Sequence, residues 1–112
     1  MAAKTKHRTL SDTALEMVAG RFRVLSEPMR LRLLATLQEG ERNVGALVEA
    51  TGSTQANVSK HLGILAAAGM VGRRKEGLSV FYFISDAKIF QLCELMCSKL
   101  EEELAEKSRH FR

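Results

Sequence analysis

The segment STQANVSKHLGILAAAGMVGRRK, Ser53–Lys75, contains neither Asp nor Glu, although 27% of the chain is charged. At 3.6 residues per helical turn, Val58, Leu62 and Leu65 fall into one narrow sector. Ala56, Ser59, Lys60 and Gly63 take the opposite side, with Gln55 and Asn57 at its edges. The first side is a core face; the second offers hydrogen-bond donors, small side chains and one cation. The helix is expected from about Thr54 to Ala68, ended by Gly69. His61 falls beside the buried sector, toward a neighbouring helix, and reads as a packed or hydrogen-bonded imidazole rather than a metal ligand or base reader.

The pattern continues on both sides of this segment. Upstream, Asn43 caps a short helix VGALVEAT, whose inner side is Val44, Leu47 and Val48, and Gly52 stops it before Ser53 or Thr54 opens the next. Before that, SEPMRLRLLATLQEG makes a helix with Ser26 as cap, Pro28 in the first turn where its missing N–H costs nothing, Met29, Leu33, Leu34 and Leu37 inward, and Gly40 as stop. Ala14, Val18, Phe22 and Leu25 recur at helical spacing, with Met17 beside them, and Ser11 or Asp12 caps this first helix. Residues 1–10 read as a flexible basic arm. Downstream, VGRRK and SVFYFIS read as two strands of a β-hairpin turning around Glu76, Gly77 and Leu78. Ser85 or Asp86 then caps a long helix with Ile89, Cys93, Met96, Cys97, Leu100 and Leu104 along one side. The domain is taken as residues 11–106, and 107–112 as a tail.

Composition narrows the class. The 112 residues, 46% of them apolar, suffice for one small domain with a core but not for a large enzyme pocket. The net charge of +4 favours an anionic partner. It is unevenly placed: residues 1–85 carry 12 Lys and Arg against 7 Asp and Glu, and residues 86–112 carry 5 against 6. No apolar run approaches the roughly 20 residues of a membrane span, and the N-terminus lacks a signal-peptide core. The expected location is the cytoplasm, where Cys93 and Cys97 stay thiols. There is no Ser/His/Asp constellation, no glycine-rich phosphate loop, no CxxC and no carboxylate pair outside the Glu101–Glu103 run, so an enzyme is not expected.

Mainly α with a small β-hairpin, in the order α-α-α-α-β-β-α, is the arrangement of a winged helix-turn-helix, whose second helix of the pair enters the DNA major groove. The acid-free face fits that duty, because phosphates repel carboxylates and base edges are read by short polar side chains held close. Gln55 suits adenine, Ala56 a thymine methyl, and Lys60 a guanine or a phosphate, while Gly63 lets the backbones approach. Thr54, Asn57 and Ser59 complete the surface. Arg73, Arg74 and Lys75 on the wing would lie along the sugar-phosphate backbone, joined by Ser79 and Tyr82. Lys4, Lys6 and Arg8 could add phosphate contacts from the arm.

The segments LSEPMRLRLLATLQEGE and NVGALVEATGSTQANVSKHLGILAAAGMVGRRKEGLSVFYFIS resemble the ArsR/SmtB, or arsenical-resistance repressor, family of bacterial winged-helix regulators over roughly residues 22–98. The specific marks are SEPxRLxLL, SKHL followed by a spaced Leu, AGMV, and RRxEG with its YF strand. The resemblance implies a homodimer that represses an operator and releases it on binding a small inducer, with the first and last helices as the dimer interface. The apolar stripes of those helices agree, since a domain of this size has little core in which to bury them. Leu10, Ala14, Met17, Val18, Ile89, Cys93, Met96, Leu100 and Leu104 are the expected interface. Two-fold symmetry would match an inverted repeat in double-stranded DNA.

The family's usual metal ligands are absent: the third helix has no Cys or His, and the last has no His before His110. Cys93 and Cys97 remain. Four residues apart on one face, two thiols can share a soft species such as arsenite, Zn or Cu(I), given another ligand. A disulfide between them is disfavoured, because the Cβ atoms would be about 6 Å apart where about 4 Å is needed. Reactive-sulfur or redox chemistry across subunits is also open, and so is plain packing of two small hydrophobes. A protein- or RNA-contacting winged helix is a further alternative, which would need exposed aromatic residues.

Overall fold

The computed structural model describes residues 9–110. Its elements run α1 (Asp12–Leu25), α2 (Pro28–Gln38), β1 (Arg42–Asn43), α3 (Val44–Thr51), α4 (Gln55–Ala67), β2 (Val71–Glu76), β3 (Ser79–Ile84) and α5 (Ala87–His110). Basic residues Lys4, Lys6 and Arg8 lie outside the described residues.

Short side chains start most of the helices. Ser11 Oγ accepts from the Ala14 N–H at 3.1 Å, Asn43 Oδ1 from Ala46 at 2.8 Å, and Thr54 Oγ1 from Asn57 at 3.1 Å. Each satisfies a donor that the helix leaves unpaired. Asp86, rather than Ser85, serves α5: its Oδ1 accepts from the Lys88 N–H at 3.0 Å, while the Ser85 hydroxyl donates to the Gly69 carbonyl. Helix α2 departs from the expected cap. Glu27, not Ser26, is its N-cap and accepts from the Met29 N–H at 3.0 Å, whereas Ser26 closes α1 and its hydroxyl donates to the Phe22 carbonyl. The physical reason is that Pro28 occupies the first helical position, so the residue before it is the one in extended backbone.

Helix α4 ends where Gly69 takes φ +75°, with the Met70 N–H bonded to the Leu65 carbonyl and the Gly69 N–H to that of Ala66. This reversal recovers two orphan carbonyls and sends the chain directly into β2.

The core lies where α2, α3 and α4 meet the sheet: Leu33, Leu47, Val58, Leu62 and Leu65 are fully buried, and Leu34, Met70 and Val71 nearly so. The inward residues expected of α2 and α4 are thus in place. The sheet has three strands in the order β1-β3-β2, all antiparallel, so the hairpin is joined by a strand that its sequence did not announce. Arg42 and Asn43 pair with Tyr82 and Phe81. Gly72 sits under the Phe83 ring, where a Cβ would come within 2.6 Å of it. Helix α5 continues to His110, past residue 106 where a tail was expected.

Candidate nucleic-acid interface

Helices α3 and α4 are joined by residues 52–54, with Gly52 at φ +70° making the turn. Val58, Leu62 and Leu65 fix α4 to the core, which leaves Gln55, Ala56, Ser59, Lys60 and Gly63 exposed together on the far side. Thr54 is exposed, its oxygen engaged as the cap. Asn57 is half-buried and its side-chain amide donates to Ser53 Oγ at 2.8 Å, so it stiffens the start of the helix. A Cβ added at Gly63 meets nothing within 4 Å. Nothing inside the subunit therefore requires glycine there, although a glycine inside a helix costs about 1 kcal/mol relative to alanine.

The wing follows from strand register. Directly opposed residues share a face, so Arg73 and Lys75 lie with Tyr82 and Val80, while Arg74 lies with Phe81 on the other face. Tyr82 packs against the core from its half-buried position, so the first face is the one turned toward the helices. The three basic residues are consequently unequal. Arg74 Nε donates to Glu41 Oε1 at 2.7 Å, its Nη1 bonds Glu76, and its guanidinium stands 5.0 Å over the Phe81 ring. Hydrogen bonds to Glu76 and then to Glu41 push its pKa above the ordinary arginine value. Arg74 thus ties the wing to the residue preceding β1. Among the described residues, Lys60, Arg73 and Lys75 make no ion pair within the subunit. Ser79 is exposed at the wing tip opposite Glu76.

His61 is buried, with 6% of its surface exposed. Its Nδ1 lies 3.1 Å from Arg30 Nη1 and its Nε2 lies 3.6 Å from Glu27 Oε2. An arginine only donates, so Nδ1 accepts and the ring proton is on Nε2. The SEPMR and SKHL segments meet here. Sequence spacing pointed His61 at a neighbouring helix but gave no sign of its partners.

The described part of the proposed interface splits in two. Leu10, Met17, Val18, Met96, Leu100 and Leu104 are exposed, joined by Phe22, Leu31 and Leu92, which the sequence reading did not assign. Ile89 and Cys93 instead pack against the core of their own subunit, and Ala14 is half-buried. Cys93 and Cys97 are unpaired thiols. Both line an apolar groove of about 340 Å³ between α1, α2 and α5, with Phe22, Leu34 and Met96. Burial, and then the neighbouring Cys97 and Glu94, raise the Cys93 pKa above the ordinary thiol value. Among the described residues no group of three or more His, Cys, Asp or Glu is placed to hold a metal, and no helix is long and apolar enough to cross a membrane.

Comparison with known proteins agrees with this geometry. A helix-turn-helix domain family matches residues 25–74. The biofilm growth-associated repressor of Xylella fastidiosa (strain Temecula1) is 41% identical over 75 residues, 67% of this chain and 66% of its own length. The cadmium resistance transcriptional regulatory protein CadC of Listeria innocua is 37% identical over 104 residues, 92% of this chain and 85% of its own. Among solved structures, the homodimeric winged helix-turn-helix DNA-binding domain of a possible ArsR-family transcriptional regulator from Mycobacterium bovis superimposes with a TM-score of 0.76 and 33% identity, over 85% of this chain and 91% of that one. An acid-free recognition face, a basic wing and these relatives together place the chain in the ArsR/SmtB family of winged-helix transcriptional regulators, which are DNA-binding proteins and not enzymes.

Proposed function

We propose that this regulator is a homodimeric repressor that holds an inverted-repeat operator with α4 of each subunit in the major groove and the β2–β3 wing along the adjacent backbone. The observation that carries the reading is the exposed side of α4: Gln55, Ala56, Ser59, Lys60 and Gly63, without a carboxylate, beside the unpaired cations Arg73 and Lys75. Dimerisation through α1 and α5 is supported by their exposed apolar side chains, which water would not leave uncovered. Two such helices related by a two-fold axis address half-sites about 34–36 Å apart.

The inducer in this reading is a soft species taken up by Cys93 and Cys97: arsenite, Zn, Cu(I) or a reactive-sulfur compound. Both thiols open on one groove, the cadmium-resistance relative supports a soft metal, and any additional metal ligand would come from the partner subunit. A second reading, in which the cysteines only pack, is favoured by the contact of half-buried Cys93 with the core and its raised pKa, since a thiol with less thiolate reacts more slowly.

Mobility-shift titrations on DNA upstream of the coding region test both levels. Replacing Gln55 and Lys60 by Glu is expected to abolish retention of the operator, and unchanged affinity would refute the DNA-facing assignment of α4. Arsenite, Zn, Cu(I) and polysulfide are then added to wild type and to the Cys93→Ser/Cys97→Ser variant. Release of wild type alone supports the thiol sensor; equal response of both proteins, or none from either, leaves packing as the role of the two sulfurs.

A further inference from the structure

The apolar contacts of Val58, Leu62 and Leu65 hold α4 to the core, but hydrophobic burial is non-directional, whereas a hydrogen bond fixes both distance and angle. A reading head needs a fixed pitch, since a misplacement of about 1 Å breaks a bidentate base contact. Among the described residues, hydrogen bonds from Arg30 supply such a constraint. Its Nε donates to the Val24 carbonyl at 2.5 Å, its Nη2 to the Arg23 carbonyl at 3.4 Å, and its Nη1 to His61 Nδ1 at 3.1 Å. Two of these acceptors are carbonyls in the last turn of α1, the electron-rich end of a helix; that of Arg23 also accepts from the Ser26 N–H. The third belongs to α4.

The planar guanidinium, with its donors in a rigid fork, therefore joins the end of α1 to the middle of the recognition helix. Glu27 lies on the other side of the ring: its oxygen 3.6 Å from His61 Nε2, outside hydrogen-bond range, is the same one that caps α2 by accepting from the Met29 N–H. His61 and Thr51 are the buried polar residues of the described chain, and Thr51 spends its hydroxyl on its own helix, at the Leu47 carbonyl.

Resting on the DNA reading of α4, we infer that Arg30 is a positioning residue for operator recognition: through His61 it sets the orientation of α4 relative to α1. Because α1 carries exposed apolar side chains, the arrangement at that surface and the pitch of the reading helix are mechanically linked. Arg30 need not touch DNA to matter for specificity.

The test is fluorescence anisotropy of the full chain on an inverted-repeat operator fragment and on a scrambled duplex of equal length. Wild type, Arg30→Gln, His61→Leu and His61→Asn are compared at a temperature where circular dichroism shows each one folded. His61→Leu fills the space without an acceptor; His61→Asn returns an oxygen near the place of Nδ1. Arg30→Gln and His61→Leu are expected to lower the ratio of operator to scrambled affinity by about tenfold, the size of one good base contact per dimer, with scrambled-duplex affinity and salt slope unchanged. His61→Asn restores most of the ratio, and the double variant is no worse than either single one, because both break one link. A ratio unchanged in the folded variants, or an equal fall on both duplexes, overturns the inference and leaves the DNA reading standing. Failure of wild type to distinguish the two duplexes sinks the DNA reading and this inference with it. Should Arg30→Gln not fold, the His61→Leu and His61→Asn pair decides alone.

Discussion

Gly63 offers a test in which stability and affinity move in opposite directions. The residue lies inside α4 on its exposed side, and a Cβ built there meets nothing within 4 Å. Its backbone is ordinary helix, since it is not among the glycines with positive φ. Replacing it by alanine should therefore stabilise the fold by about 0.8–1 kcal/mol, the difference in helix propensity, and raise Tm by roughly 3–4 °C. Leucine has nearly the same propensity and should also stabilise. If this side of the helix meets DNA at close range, the added bulk has to be accommodated between two surfaces already in contact, at about 1–3 kcal/mol for leucine and less for alanine. Operator affinity of Gly63→Leu should accordingly fall about five- to hundredfold. Thermal unfolding by circular dichroism and a shift titration on one preparation give both numbers. A leucine variant that is more stable and binds as tightly as wild type would refute the close approach, and a less stable alanine variant would refute the helix argument.

The wing residues should separate by their partners. Arg73→Ala and Lys75→Ala, each removing its cation twice in the proposed dimer, reduce the slope of log affinity against log salt concentration by about 2. Arg74→Ala leaves that slope nearly unchanged, because Glu41, Glu76 and Phe81 already hold its charge. Cysteine alkylation should be ordered by exposure and acidity: a raised pKa means less thiolate at every pH below it, so Cys93 reacts more slowly with iodoacetamide than an ordinary thiol near neutral pH, and the lag closes as pH rises past its pKa. Cys97, which is exposed, is modified first, and peptide mass spectrometry reads the order. Gly72→Ala should cost about 1 kcal/mol or more by displacing the Phe83 ring, and the penalty should vanish in a Phe83→Ala background, measured as a double-mutant cycle in urea.

What the sequence made legible followed from local chemistry. Ser11, Asn43 and Thr54 announce helix starts because a short side-chain oxygen reaches its own chain's N–H groups three residues on, and the periodicity of Val58, Leu62 and Leu65 separates core from surface without any tertiary knowledge. The misses needed distant neighbours. Strand β1 is only Arg42 and Asn43, residues with no strand preference, and it exists because β3 offers an edge to pair with. The choice of Glu27 over Ser26 as cap turns on the proline beside it, and that Glu27 then faces His61, 34 positions away, is a tertiary outcome. Arg74 looked equivalent to its neighbours until Glu41, 33 positions earlier, came to face it. The exposed stripe of α5 was readable by spacing, but not which of its members, Ile89 and Cys93, would turn inward.

Asn43 holds two posts: it pairs with Phe81 in the sheet and caps α3 through its side chain. No linker separates the ribbon from the first helix of the pair, so a load on one is delivered to the other without slack. Strand β3 of the wing and helix α3 then move as one body. In the proposed complex the spacing of the wing and the helix pair is then held by these hydrogen bonds, and DNA of unsuitable groove width has to deform to fit it.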